Sequence, residues 1–369
     1  MIKFSFGTPV TRENFFDRES ETRFLSSRIA SLRKGARNDV AVIGPRRVGK
    51  SSLVLQVLEK ARASGLTCVF VDCEGHDFVS FVQEFNNAVL SPVIEKSTKM
   101  KLEKMLKEGG RNLVAVFSEV IGTVKAVEVS PTELLNSLRI RIEFENAGAG
   151  KNREEEALEL LKSTFSLIEK TGDFAVFFDE FQETIRFKTG GTQFLPVFRR
   201  LSQYNKKCAY VYTGSSIGMM KYVFANPESP LAGNADILYV NPFPKSVSTD
   251  FLKEGFKDRG LTVDQKTLEA LVDASGGYPA YLNWIGLRCV DLSKKTVSGQ
   301  IALQVVREMT AQISPLKQMA EKQLAKLGTK TRLVLKAMSA GCEEPSQISA
   351  SAKTTNAYVY LNRLQEYGL

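Results

Sequence analysis

Residues 40–53 read Val-Ala-Val-Ile-Gly-Pro-Arg-Arg-Val-Gly-Lys-Ser-Ser-Leu. An apolar run meets a glycine-bounded loop of the form GxxxxGK[ST], and a helix-forming segment follows at once. That order is the P-loop signature in the strand–loop–helix context that gives it meaning. Backbone N–H groups of such a loop converge on one point, and the helix N-terminus behind them adds partial positive charge. A polyphosphate is the ligand this arrangement suits. The expected contact set is Gly44, Pro45, Arg46, Arg47, Val48, Gly49, Lys50, Ser51 and Ser52. Lys50 would reach the β- and γ-phosphates, and the Ser51 hydroxyl would hold Mg²⁺.

A P-loop needs a parallel sheet to present it, and the chain supplies the strands. Thr67–Asp72, Phe174–Glu180, Cys208–Thr213 and Ile237–Val240 are continuous apolar runs, the pattern of strands buried on both faces. Helical patterns separate them, so residues 1–243 read as an α/β core. The interval from 73 to 173 is long for a crossover, and an insertion is expected at about 99–150. Within it Leu138–Glu145 alternates strictly and predicts a strand with one wet face, with Val127–Val129 as a hairpin partner. Gly148-Ala149-Gly150-Lys151 lacks the first P-loop glycine and reads as a loop exit. Beyond Pro244 the strand signal stops. Residues 244–312 are expected to form a helical lid, and 313–369 a third unit of short helices at Thr331–Ala340, Pro345–Ala352 and Thr354–Tyr367.

Composition narrows the class of protein. At 369 residues the chain exceeds one core, and two or three domains are expected. No apolar run is long enough to span a bilayer, and the first residues lack the apolar stretch of a secretory signal. Five scattered cysteines with no CxxC pair argue against a disulfide framework or a zinc site, so a cytoplasmic protein is expected. The single histidine, His76, is expected in a loop and leaves at most one candidate for any histidine-dependent chemistry. A net charge of +9 is compatible with acidic partners without selecting one.

Hydrolysis requires more than a phosphate cradle. Asp179-Glu180 closes an apolar strand; Asp179 would hold Mg²⁺ and Glu180 would polarise the attacking water. Thr213-Gly214-Ser215-Ser216 ends the next strand on the same ligand edge. Thr213 and Ser215 are candidates there to sense the γ-phosphate or orient the water, although such residues also build ordinary turns. The catalytic candidates are thus Lys50, Glu180 and Ser215.

Several short motifs, taken in order, resemble the archaeal ATPase family within the STAND branch of AAA+-related P-loop proteins. They are Phe15-Phe16-Asp17-Arg18-Glu19-x-Glu21, Gly44-Pro45-Arg46-Arg47-x-Gly49-Lys50-Ser51, Asp179-Glu180 and Thr213-Gly214-Ser215. Pro230-Leu231-Ala232-Gly233, Asn241-Pro242-Phe243 and Gly277-Tyr278-Pro279 continue the match, which covers most of residues 10–290. The resemblance implies an ATP/ADP- and Mg²⁺-dependent core whose adenine lies between backbone near Phe16 and Arg18 and the lid residue Pro279. One departure is Asn234, where the family commonly has arginine after Gly233. Arg46, Arg47, Arg199 and Arg200 are the cations left to compensate.

The C-terminal unit resembles a winged helix-turn-helix that stops at Leu369, where a wing would begin, so a reduced wing or a truncated chain is expected. As a DNA reader it would present Thr354, Thr355, Asn356, Tyr360 and Arg363. Only Lys353 and Arg363 are cationic near that surface, which favours a regulatory or protein-binding role. Three readings stay open: a slow nucleotide-controlled ATPase switch, a DNA-binding ATPase similar to origin-recognition proteins, and an adaptor that holds ADP permanently. The switch is preferred, with a nucleotide-dependent oligomer and no membrane contact. The absence of an N-K-x-D motif favours adenine over guanine.

Overall fold

A computed structural model describes residues 4–96, 153–189, 192–311, 314–325 and 327–366. The hairpin expected at 127–145 and the loop at 148–151 lie outside the described residues.

Five strands form one parallel sheet: β1 (Val40–Ile43), β2 (Thr67–Asp72), β3 (Phe174–Asp179), β4 (Cys208–Gly214) and β5 (Asp236–Tyr239). Their order is β2-β3-β4-β1-β5. Val42 pairs with Thr213 of β4 on one side and with Leu238 of β5 on the other. Strand β4 therefore lies between the P-loop strand and the Asp179 strand. Because all five run the same way, Gly44, Asp72, Asp179 and Gly214 emerge at one edge.

Alternation along β3 explains the two-sided burial. Phe174, Val176 and Phe178 face one layer, while Ala175 and Phe177 face the other. The first layer holds α3 (Phe78–Lys96), α4 (Arg153–Thr171), α5 (Phe194–Gln203) and α6 (Ile217–Ala225). Its aromatic side chains, among them Phe81, Phe85, Phe178, Phe198 and Tyr212, are fully buried and mutually in contact. Each such ring contributes roughly 1.5–3 kcal/mol through removal from water. The opposite layer holds α1 (Glu19–Ala30) and α2 (Lys50–Ala63), which bury Leu25, Ile29, Leu53, Val54 and Val57.

A second apolar cluster is built by α7 (Lys245–Lys257), α8 (Gln265–Ser275), α9 (Pro279–Leu292) and α10 (Gly299–Thr310). Helix α11 (Pro315–Ala325) adds Leu316 and Met319 to it. A two-residue parallel bridge joins Thr262–Val263 to Thr296–Val297 inside this helical region, where sequence periodicity carried no strand signal. Phe4 completes the cluster from the other end of the chain. Its ring packs edge-on to Phe251 and Phe256 at 5.6 Å, in a space that only Gly255 and Gly286 leave open. A separate small core of Leu327, Val334, Ile348, Ala357 and Leu364 unites α12 (Thr329–Ser339), α13 (Pro345–Ser351) and α14 (Ala357–Glu366). Helix α14 rests on α6 of the sheet layer.

No helix among the described residues is long and apolar enough to cross a membrane.

Candidate functional site

The P-loop is shaped by two glycines with different tasks. A Cβ at Gly44 would lie 2.2 Å from the Val240 carbonyl oxygen, so no side chain fits there. Gly49 has φ +97° and caps α2, turning the chain so that the helix N-terminus faces the loop. Arg47 is also left-handed, at φ +69°, a conformation that costs a non-glycine residue about 1–2 kcal/mol. Lys50 is buried and its ammonium donates to Pro45 O at 2.9 Å. Burial pulls its pKa down to about 8 against the attraction of Glu180 and Asp179. A buried cation with one neutral acceptor fits an incoming polyanion.

Asp179 and Ser51 meet directly: the hydroxyl donates to Asp179 Oδ2 at 2.9 Å. Asp179 Oδ1 accepts from the Glu180 amide at 3.0 Å and from the Thr213 hydroxyl. Thr213 is thus an anchor for Asp179 rather than a group facing the cavity; it is fully buried. One carboxylate and one hydroxyl, side by side below the loop, are a donor set that could hold Mg²⁺ together with phosphate oxygens.

Glu180 turns out of β3 at φ +48°. Its Oε2 accepts from Ser215 Oγ at 2.6 Å, Ser215 N at 3.3 Å and the Gln182 amide. Burial opposes its charge, but the Ser215 and Gln182 donors, then Lys50 and Arg46, hold its pKa below the usual glutamate value. Arg46 Nε reaches Ser215 Oγ at 3.2 Å, and the same guanidinium pairs with Glu74 at 2.9 Å. The insertion of β4 beside β1 creates this contact, since it carries Ser215 between the P-loop and the carboxylates.

The second helical cluster meets the P-loop at the turn between α8 and α9. Phe243 N donates to Gly277 O at 2.8 Å, and a Cβ at Gly277 would meet Phe243 O at 2.3 Å. This junction aims the N-terminus of α9 at the P-loop, with Pro279 Cγ 4.0 Å from where a Gly49 Cβ would be. Arg18 is buried with its guanidinium on Val48 O at 3.3 Å, on Asn241 O and on Glu21 at 2.9 Å, 4.6 Å above the Phe243 ring. It clamps the P-loop to the segment between β5 and α7. Phe16, Arg18, Val48, Phe243 and Pro279 line a narrow apolar cleft beside the loop, and the neighbouring cavity, of about 770 Å³, is lined by Arg46, Arg47, Lys50, Ser51 and Glu180. That volume lies in the range of small-molecule sites.

Arg18, the P-loop residues, Asp179, Glu180, Ser215 and Pro279 are therefore brought together around the P-loop, either lining the two adjoining cavities or bonded to residues that do. Ser52 differs in detail: its hydroxyl accepts from Val10 N at 3.0 Å, so it holds the N-terminal segment. Arg199 and Arg200 are exposed on α5, away from the residues lining the cleft. Three features escaped sequence reasoning. Gln182 on Glu180 had no signal, since it follows Asp179-Glu180-Phe181 in a mixed polar stretch. Lys322 of α11 lines the cavity from a helix grouped by sequence with the C-terminal unit. The segment around Ser5, which donates to Asn283 Oδ1 at 2.8 Å, had no signal.

A family model for an ATPase domain predominantly from Archaea matches residues 15–285. Among solved structures, the chain is similar to the Walker-type ATPase PABY2304 of Pyrococcus abyssi, with 22% identity and a TM-score of 0.65. That likeness covers 99% of this chain and 93% of the other. It is also similar to the Aeropyrum pernix ORC2 protein in its ADPNP–ADP complexes, with 15% identity, TM-score 0.54, and 97% and 89% covered. At these identities the two structures speak for the fold. No similarity to a curated protein was found.

Proposed function

Because this chain belongs to the ATPase family found predominantly in Archaea, we propose that it is a Mg²⁺-dependent ATPase of the STAND type that switches its lid and C-terminal helices with nucleotide state. The reading rests on one observation above the rest. Ser215 touches Glu180 at 2.6 Å, and the next residue, Ser216, caps α6, the helix on which α14 sits. A change at the γ-phosphate has a short path to the C-terminal unit.

In the proposed reaction Lys50 and the P-loop amides hold the β- and γ-phosphates. Ser51 and Asp179 would hold Mg²⁺, which supplies charge neutralisation across the phosphate oxygens. Glu180 polarises water and takes its proton as the water oxygen bonds to the γ-phosphorus; the bond to the β-phosphate oxygen breaks, giving ADP and phosphate. Phe16 and Pro279 flank adenine, and Arg46 approaches the γ-phosphate beside Ser215.

A second reading has its own support. Lys330, Arg332, Lys336 and Lys353 are exposed on the C-terminal unit, which resembles a winged helix-turn-helix, and duplex DNA is the partner such a surface suits. Anisotropy titrations with duplex DNA at two salt concentrations test it; binding that weakens with salt supports it, and no binding with or without nucleotide removes it.

The main reading is tested by a multiple-turnover phosphate assay paired with mass analysis of the nucleotide released from purified protein. Sustained, Mg²⁺-dependent phosphate release supports the switch. Stoichiometric ADP with no turnover replaces it with an adaptor that keeps ADP as a structural ligand.

A further inference from the structure

Gln182 is 1% exposed and lies in the 3-10 turn Phe181–Arg186 directly after β3. Its amide nitrogen donates to Glu180 Oε2. Its amide oxygen is buried and has no hydrogen-bond partner. Reversing the amide would set a carbonyl oxygen against a carboxylate oxygen, so the observed orientation is the chemically sensible one. An orphaned buried acceptor is costly, and natural proteins retain few of them. Here the cost is tolerated at a residue whose other end grips the base. Gly214 leaves the room it needs: a Cβ there would come within 2.4 Å of the Gln182 amide oxygen.

The donors on Glu180 are one-sided. Ser215 Oγ, Ser215 N and the Gln182 amide all go to Oε2. Oε1 takes none of these bonds, and Glu180 lines the nucleotide cavity. Resting on the reading of Glu180 as the water-polarising base, we propose that Gln182 is a positioning residue that, with Ser215, pins Oε2 and keeps Oε1 free for the attacking water. Gln182 is not among the residues lining the cavity, so it acts through Glu180. Without it the carboxylate retains its Ser215 contacts but gains rotational freedom about them, and small misplacements of a reacting group are expensive.

The test uses Gln182→Leu in the full chain, with Gln182→Met as a second variant and Glu180→Gln in parallel. The leucine removes the donor and the orphaned acceptor together, so thermal stability should be equal to or above wild type. Turnover should fall about 10- to 100-fold, with KM for ATP and the dissociation constant for ADP within about twofold of wild type, an order-of-magnitude band in which binding is intact. Turnover close to wild type in either folded variant overturns the proposal. So does a loss of ADP affinity in step with turnover, which marks a structural role. Should Glu180→Gln itself turn over normally, the base assignment falls. Slow Glu180→Gln with normal Gln182→Leu removes only the clamp.

Discussion

The Ser51 hydroxyl donates to Asp179 Oδ2 at 2.9 Å, joining residues 128 positions apart in the chain. The contact ties the first turn of α2 to the end of β3 across the intervening β4. Asp179 also accepts from Thr213 and from the Glu180 amide, so its carboxylate serves three donors. Asp179→Ala removes the acceptor of all three, and the fully buried Thr213 hydroxyl, left without it, costs about 1–3 kcal/mol. The variant should melt below wild type and bind nucleotide with little dependence on Mg²⁺. Calorimetric melting and equilibrium dialysis with and without Mg²⁺ read both effects.

Lys50→Ala removes the one buried ammonium among the residues lining the cavity. A charge-assisted hydrogen bond is worth up to roughly 3 kcal/mol, so ATP affinity should fall by about 100-fold. The fold should survive, because Lys50 has only the Pro45 carbonyl as a hydrogen-bond partner. Titration calorimetry against ATP measures the loss, and circular dichroism checks the fold.

Gly277→Ala acts on the lid without touching the phosphate cradle. Its φ of +74° is costly for alanine, and the added Cβ would lie 2.3 Å from the Phe243 backbone oxygen. The left-handed backbone alone costs about 1–2 kcal/mol. The Phe243–Gly277 hydrogen bond should break and Pro279 should draw back from Gly49. A raised KM for ATP in steady-state kinetics, with a lowered melting temperature, is the expected outcome.

Phe4→Ala empties the lid core from a residue more than 240 positions before its partners Phe251 and Phe256. Truncations of buried phenylalanine typically cost about 3–5 kcal/mol. Urea denaturation should show the lid weakening by that order.

Much of this architecture is legible in the residues themselves. Runs such as Phe174-Ala175-Val176-Phe177-Phe178 identify parallel strands because both faces must be apolar, and Gly44 to Ser51 identifies its own ligand because so few loops need that spacing. The order of the strands is not legible. Nothing in Cys208–Gly214 says that it pairs with Val40–Ile43, yet that pairing brings Ser215 to Glu180. Gln182 and Phe4 stayed hidden for a related reason: their roles depend on partners made by tertiary packing, where local periodicity is silent. Leu316 was equally opaque, since a helix carries no mark of which cluster will bury it.

The account turns on Glu180 as the group that activates water. Single- and multiple-turnover phosphate release by wild type and Glu180→Gln, at saturating Mg²⁺ and ATP, tests that most directly. The account predicts that the variant binds ATP as tightly as wild type while releasing phosphate slower by orders of magnitude. Phosphate release by Glu180→Gln at the wild-type rate would contradict it.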